Sequence, residues 1–274
     1  MGFFGRKRAP SVPHPRKEPR FDGPLTLERL EQIFQDCVDF TKRPVSLGEG
    51  GACTLTLCYL SGMVKMERVS DYVLRPLAQD EALARCGTPR QAMDRMKDGA
   101  LYNLSAEERT RLDAAVFDLV NGCCLLLFPW ESSVLSLNVG TEEKRSISSP
   151  SNETVLKGSR DAFVESLRTN TSIVRRHLKA PELRIREQVV GRQSVTSVDI
   201  LYIEGLTNPH LVEQVAAQLA DIDIDAVLTT GNIEEYIVPA ARTAFPLVQY
   251  TERSDRFCAG LAEGRVGILI DGLP

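Results

Sequence analysis

The sequence predicts an α/β protein whose soluble region has two lobes, each a small mixed sheet with flanking helices. Candidate strands and helices alternate along the second half of the chain, which is typical of a sheet covered by helices. The polar segment Thr141–Thr154 contains four serines and one proline, and it separates two stretches with apolar periodicity. The 274 residues are enough for two hydrophobic cores.

Four segments follow from these observations. Residues 1–24 hold five of the 15 prolines and show no apolar period, so they are expected to be a disordered tail. This tail is basic, with a charge of +5 over residues 1–20, whereas the rest of the chain carries −9. Residues 25–140 are predicted to form the first lobe, 141–154 the linker and 155–274 the second lobe.

The first lobe is expected to begin with an amphipathic helix that Thr26 caps. A loop over Lys42–Gly51 should lead into a strand over Cys53–Leu60, which is rich in apolar and β-branched residues. A short helix is predicted over Val69–Ala78, where apolar residues return at helical spacing.

Ser105 and Glu108 have the spacing of a capping box, and this pattern predicts that a helix begins at Ser105. The helix should end at Asn121-Gly122, since glycine and asparagine are common at the ends of helices. The apolar run Cys123–Phe128 and the segment Val134–Val139 then predict two strands.

The second lobe is expected to open with a long helix over Arg160–Leu178. Leu183–Val190 and Val195–Ile203 have the composition of a strand pair joined by a turn at Gly191-Arg192. Asn208 followed by Pro209 is a helix start signal. The remaining predicted elements are strands at Ala226–Leu228, Leu247–Tyr250 and Arg265–Ile270 and helices at Ile233–Val238 and Asp255–Ala262.

The composition argues against several classes of protein. Seven cysteines without a C-x-x-C pair favour neither an extracellular disulfide framework nor a zinc site, and they fit a reducing cytosol. The body of the chain lacks the basic surplus of a nucleic-acid-binding protein. No window has the length and apolarity of a membrane span, so the chain as given is expected to be soluble.

Candidate chemical motifs are weak. Gly48–Gly51 precedes a strand, whereas phosphate-binding loops follow one. Asp221, Asp223 and Asp225 would share one face of an extended segment, which suits either a cation or a solvated edge. No nucleophile and base can be paired from the sequence. We therefore expect no catalytic residue, no metal and no cofactor, and the chain is predicted not to be an enzyme.

The long helix of the second lobe carries a predicted basic face. Two interpretations stay open: a solvated face paired with local acids, or a docking surface for an acidic partner or a neighbouring lobe. At about 100° per residue, four basic side chains fall on the same side of this helix. They are Arg168, Arg175, Arg176 and Lys179.

The second lobe contains a series of segments that stand in the order of a known family. The series runs over about residues 145–274 and begins with P-S-N-E-T-V-L-K-G-S-R-D-A-F-V-E-S-L-R-T-N. The segments, in order, are Pro150–Asn170, Ile173–Arg176, Tyr202–Gly205, Ile222-Asp223, Gln249–Arg253 and Glu263–Gly272. With them, the lobe resembles the soluble amino-terminal region of A subunits of spore germinant receptors, the GerA-type spore germination proteins. One departure is Ser254, where the family has a proline after Thr-Glu-Arg.

This resemblance implies a signalling subunit of a nutrient-sensing germination complex, with no catalytic residues. It implies partners in the B and C subunits and in other A subunits, and a location at the spore inner membrane with this region facing the cytoplasm. The nutrient ligand stays unidentified. The resemblance also implies that a membrane region follows Pro274 in the parent protein. The alternative interpretation is a stand-alone soluble α/β protein that binds a small molecule.

Overall fold

The computed structural model describes residues 20–47, 53–101, 106–129, 131–140, 161–238 and 247–273. Residues 1–19 of the predicted tail, which was expected to span residues 1–24, lie outside the described residues, as do the Gly48–Gly51 motif and the predicted linker. The described chain divides into two compact units. The first is drawn from Met1–Leu30, Lys42–Tyr59 and Val64–Gly140, and the second from Glu31–Thr41, Leu60–Met63 and Thr141–Pro274.

The first unit is a five-stranded sheet with short helices. The strands and helices between Leu27 and Asn138 are α1 (Leu27–Ile33), β1 (Phe40–Ser46), β2 (Thr54–Leu60), α2 (Met66–Val69), α3 (Arg75–Gln79), α4 (Glu81–Ala84), α5 (Pro89–Arg95), β3 (Ala106–Arg109), α6 (Leu112–Val120), β4 (Cys123–Leu127) and β5 (Val134–Asn138). The sheet order is β1-β2-β4-β5-β3, and the pairs β2/β4, β4/β5 and β3/β5 are antiparallel. Two π-helical turns, Ser70–Leu74 and Met96–Ala100, lie beside the α-helices.

The core of the first unit forms because strand residues alternate between the two faces of the sheet. Leu55 and Leu57 of β2 and Leu126 of β4 are buried on the same face, against helix residues that include Leu77 and Met93. Because these contacts join strands and helices that are well separated in sequence, the unit consists of one sheet layer packed against one layer of helices.

Two predictions for the first unit were wrong. Lys42–Ser46 belongs to strand β1, although the sequence suggested a loop there. The helix start predicted from the Ser105–Glu108 spacing was wrong as well, because Glu108 lies in β3, where it pairs with Leu135 of β5. Its carboxylate is bound by side chains distant in sequence, which a local pattern cannot anticipate.

Glu108 lies at the centre of a polar network. Arg90 Nη1 and Ser133 Oγ donate to its Oε1 at 2.7 and 2.8 Å, and Lys97 Nζ donates to its Oε2 at 2.6 Å. These hydrogen bonds, from Arg90 first and then from Lys97 and Ser133, lower the pKa of Glu108 from 4.5 to about 2. The charged form is therefore the one that the fold stabilises.

We expect Glu108→Gln to lower the free energy of unfolding by about 1–3 kcal/mol at pH 7. The folded pKa lies below the unfolded one, so this stabilisation is present above pH 4.5 and is lost as the pH falls toward 2. Urea denaturation at pH 7 and at pH 2.5 measures both effects. The control is Glu81→Gln, which removes an exposed pair with Arg85 and should change little. Equal effects of the two substitutions would contradict the prediction.

The second unit is a three-stranded antiparallel sheet with helices on both faces. Its elements are α7 (Leu167–His177), β6 (Leu183–Val190), β7 (Thr196–Ile203), α8 (Pro209–Ala220), α9 (Gly231–Ile237), α10 (Ser254–Ala262) and β8 (Gly267–Ile270). The strand order is β6-β7-β8. Phe163 and residues of α7 and α10 pack on one face of the sheet. Residues of α8 and α9 pack on the other face.

Local signals located several of these elements. α8 begins at Pro209, as predicted, and the Asn208 side chain accepts a hydrogen bond from His210 N at 3.0 Å. The β6–β7 pair also lies where the composition predicted it. α7 instead begins at Leu167, because Ser166 caps it, and the expected start at Arg160 lies outside the described residues.

Other predictions for the second unit were wrong. Ala226–Leu228 and Leu247–Tyr250 form no strand. The predicted division into lobes at residues 141–154 stays a prediction, because that linker lies outside the described residues. Within the described chain, the second unit also includes residues 31–41 and 60–63. They belong to it because Val38 N donates to Ile185 O at 3.0 Å and because Asp39 pairs with a side chain of α7. Among the described helices, none combines the length and the apolarity that crossing a bilayer requires.

Candidate functional site: the charged cluster of helix α7

Helix α7 buries polar residues as well as apolar ones. Its apolar residues Ile173 and Val174 enter the core, but Asn170, Thr171 and Arg175 are buried too. The predicted basic face is therefore divided. Arg175 lies in the interior and cannot belong to an exposed docking surface, whereas the other three predicted residues, Arg168, Arg176 and Lys179, are exposed.

Arg175 and Asp39 form a buried ion pair. Arg175 Nε donates to Asp39 Oδ2 at 2.8 Å and Nη2 donates to Oδ1 at 2.9 Å, with exposed fractions of 1% and 3% for the two residues. Such a two-point contact is strong because both hydrogen bonds are charge-assisted. The backbone carbonyl of Asp39 accepts from Ser61 N at 2.7 Å, which ties the pair to the turn at Ser61-Gly62.

Gly62 allows this turn to approach α7. It has a φ of +78°, and a Cβ there would lie 2.9 Å from Ser172 Cβ. A side chain at this position would be strained by its backbone conformation and would also clash with the helix. No local pattern in the sequence indicated Asp39 or Gly62, because both act on α7 from more than 100 residues away.

A second charged group lies nearer the start of α7. Arg168 pairs with Glu187 of β6, and its Nη1 lies 3.6 Å from Oδ2 of Asp199 in β7. Thr171 Oγ1 is 3.0 Å from the same carboxylate oxygen. Asp199 is fully buried. We call Arg168, Thr171, Glu187 and Asp199, together with the Arg175–Asp39 pair, the α7 cluster.

The start of α7 is held by polar contacts. Asn170 Oδ1 accepts from Val164 N at 2.8 Å and its Nδ2 donates to Val164 O, so one side chain satisfies both backbone groups. Asp271 Oδ1 accepts from Leu167 N at 3.1 Å, at the first residue of the helix. A carboxylate is favourable there because the N-terminus of a helix is electropositive.

Ser254, His177 and Asp161 meet at the other end of the helix but lack the geometry of a catalytic triad. Ser254 Oγ and Asp161 Oδ2 both face the same nitrogen of His177, Nε2, at 3.2 and 3.6 Å. In a triad, the acid holds Nδ1 so that Nε2 can serve the serine. Ser254 Oγ also lies 2.9 Å from the carbonyl of Asp161, in a structural hydrogen bond.

This contact also accounts for the serine at position 254. Ser254 is the first residue of α10, a position where proline is common. Its hydroxyl and its amide both donate to the carbonyl of Asp161, the amide at 3.4 Å. A proline would remove both donors.

The aspartates and cysteines that the sequence analysis singled out lie in surroundings that give them structural roles. Asp223 pairs with Arg192 on the surface. The described residues contain no group of three or more acidic, cysteine or histidine side chains placed to hold a metal ion. None of the seven cysteines, all of which lie within the described residues, forms a disulfide bond, and burial raises the pKa of Cys123 to about 11, which leaves its thiol protonated at neutral pH.

Comparison with known families gives a match over nearly the whole chain. Residues 28–274 match the family described as the Bacillus/Clostridium GerA spore germination protein. The chain is also similar to two proteins of Bacillus subtilis strain 168. It is 33% identical to the "Uncharacterized membrane protein YfkQ" and 32% identical to "Spore germination protein KA", over 90% and 86% of this chain. These alignments cover 47% and 43% of the two relatives, so the chain spans about half their length.

A solved structure shares the fold. The N-terminal domain of the A subunit of the Bacillus megaterium spore germinant receptor GerK3 superposes with a TM-score of 0.69 and 26% identity. The match covers 90% of this chain and 89% of that domain.

Proposed function

The chain belongs to the Bacillus/Clostridium GerA family of spore germination proteins, and on that premise we propose that it is the non-catalytic amino-terminal region of a germinant-receptor A subunit. The observation that carries the proposal is the match to the N-terminal domain of the GerK3 A subunit, which extends over nearly all of both chains. A match of that extent includes both units and not one shared motif.

We propose further that the parent protein senses a nutrient as part of a membrane complex. The chain spans about half the length of its relatives, and one of these is described as a membrane protein. The family resemblance supplies the B and C subunits, and other A subunits, as the expected partners. It also supplies the spore inner membrane as the location, with this region on the cytoplasmic side.

A signalling role without catalysis fits the polar groups of the second unit. Ser254, His177 and Asp161 form the arrangement nearest to a hydrolytic site, and their geometry serves structure. The buried polar groups of α7 serve the same end, since they join the helix to the sheet and to the turn at Ser61-Gly62.

The test is deletion of the gene in its own spore-forming host. We expect spores without it to lose the response to at least one nutrient in a panel of amino acids, sugars and nucleosides, measured as the fall in optical density during germination. A wild-type copy at a second locus should restore the response. Unchanged germination across the panel, with a tagged protein found only in the soluble fraction, would contradict the proposal and favour the free binding protein.

The exposed basic residues of α7 can be tested by substitution in the same germination assay. We propose that Arg168, Arg176 and Lys179 contribute to docking with an acidic partner surface. The variant Arg176→Glu/Lys179→Glu should fold normally, assemble poorly with the B and C subunits in a pull-down and germinate slowly. The matched control is Arg85→Glu, an exposed arginine of the first unit whose ion pair among the described residues is with Glu81, one helical turn earlier. Normal assembly of the double variant would rule out this docking surface.

A further inference from the structure

Asp199 is a buried carboxyl group with an incomplete set of partners. It lies in the central strand β7, between Glu187 of β6 and Leu269 of β8, and its side chain faces α7. The side chain is fully buried, and Oδ1 has no hydrogen-bond partner among the described residues. Ionisation of the carboxyl group is unfavourable in such a position because no donor replaces the water that Oδ1 has lost.

The hydrogen bonds of Thr171 depend on the protonation state of Asp199. Thr171 Oγ1 lies 2.9 Å from Leu167 O and 3.0 Å from Asp199 Oδ2. A hydroxyl has one proton to donate. If Thr171 donates it to Leu167 O, the contact with Asp199 is a hydrogen bond only when Asp199 carries a proton and donates to Thr171. If Asp199 is ionised, Thr171 must turn its proton away from Leu167.

Charged groups face Asp199 from three directions. Arg168 of α7 lies 3.6 Å away and favours ionisation, while Glu187 and Asp39 oppose it. Arg168 and Asp39 already have partners, in Glu187 and Arg175 respectively. Burial, as the largest cause, raises the pKa of Asp199 from 3.8 to about 6, although Thr171 and Arg168 act in the opposite direction. The group therefore titrates close to neutral pH.

We propose that the protonation state of Asp199 controls how firmly the first turns of α7 are held on the sheet, and that Thr171 relays the effect. We call this pair the latch. The protonated carboxyl donates to Thr171, which donates to Leu167 O, and the helix is seated on the sheet. When the proton leaves, the carboxylate accepts a hydrogen bond from Thr171, which then no longer donates to Leu167 O, and the unpartnered Oδ1 attracts Arg168 or water. Arg168 then leaves Glu187, and the start of α7 loosens. This inference is independent of the proposed receptor role.

The direction of the pH effect follows from linkage. The folded pKa lies above the unfolded one, so the contribution of Asp199 to stability is complete below about pH 4 and is lost as the pH rises through about 6. The latch is thus closed in mild acid and open above neutrality.

The titration of Asp199 can be followed directly by NMR on the 274-residue chain with labelled aspartate. We expect a midpoint near pH 6. Hydrogen exchange of the α7 amides, corrected for the intrinsic rate, should show about tenfold less protection at pH 7.5 than at pH 5, since each unit of pKa shift is tenfold in an equilibrium. Asp199→Asn, which keeps a donor for Thr171 but carries no charge, should stay protected at both pH values.

Two further variants separate the latch from a purely structural role. Thr171→Val removes the hydroxyl that stabilises the carboxylate and should move the midpoint upward, whereas Thr171→Ser should keep it. Asp223→Asn, on the surface beside Arg192, is the matched control and should leave the α7 exchange unchanged. A midpoint at or below pH 4 in the wild-type chain, or an unchanged pH dependence in Asp199→Asn, would overturn the proposal.

Discussion

Arg175→Met is expected to lower the free energy of unfolding by about 3–5 kcal/mol, because removing one member of a buried ion pair leaves an uncompensated charge in the interior. Asp39 would keep its carboxylate at 3% exposure without either of the two donors it now has at 2.8 and 2.9 Å. The measurement is urea denaturation at pH 7, followed by circular dichroism.

The neighbouring arginine is the matched control. Arg176 is the next residue of α7 but is exposed, so Arg176→Met should change stability by no more than about 0.5 kcal/mol. The double variant Asp39→Leu/Arg175→Met should be more stable than either single variant, since apolar residues often replace a buried pair without loss. Equal tolerance at positions 175 and 176 would show that Arg175 is not held in the interior.

Gly267→Ala is expected to cost about 1–3 kcal/mol through overpacking. A Cβ on Gly267 would lie 2.3 Å from Phe257 Cζ and 2.9 Å from both Cε atoms, well inside contact distance. Phe257 has little freedom to withdraw, because its ring packs edge-on against Phe163 with centroids 5.2 Å apart. The glycine of β8 therefore provides the space that the α10 ring occupies.

Two comparisons test that reason. Gly260→Ala changes a glycine within α10 whose Cβ would meet only Arg265 Cδ, at 3.6 Å, and it should be neutral or stabilising. In a Phe257→Leu background, which lacks the ring atoms, Gly267→Ala should cost measurably less than in the wild type. An equal cost in both backgrounds would mean that the ring does not set the effect.

The family followed from the sequence because its similarity is carried by segments in a fixed order. The segments between Pro150 and Gly272 resemble A subunits of germinant receptors, and the match over residues 28–274 bears this out. The fold class was confirmed as well, since the two units have the α/β architecture of the GerK3 domain. The predicted boundary between the two lobes stays a prediction, because the predicted linker lies outside the described residues.

The sequence alone determined the elements whose signals are local. α8 begins where Asn208 and Pro209 predict, and β6 and β7 occupy the two β-rich runs, because caps, turns and side-chain alternation act over a few residues. Only the tertiary structure decided what depends on distant partners. Glu108 lies in a strand because Arg90 and Ser133 bind it there, not in the first turn of a helix. Arg175 is interior because Asp39, 136 residues earlier, neutralises it, and no pattern within one helix can reveal a partner at that separation.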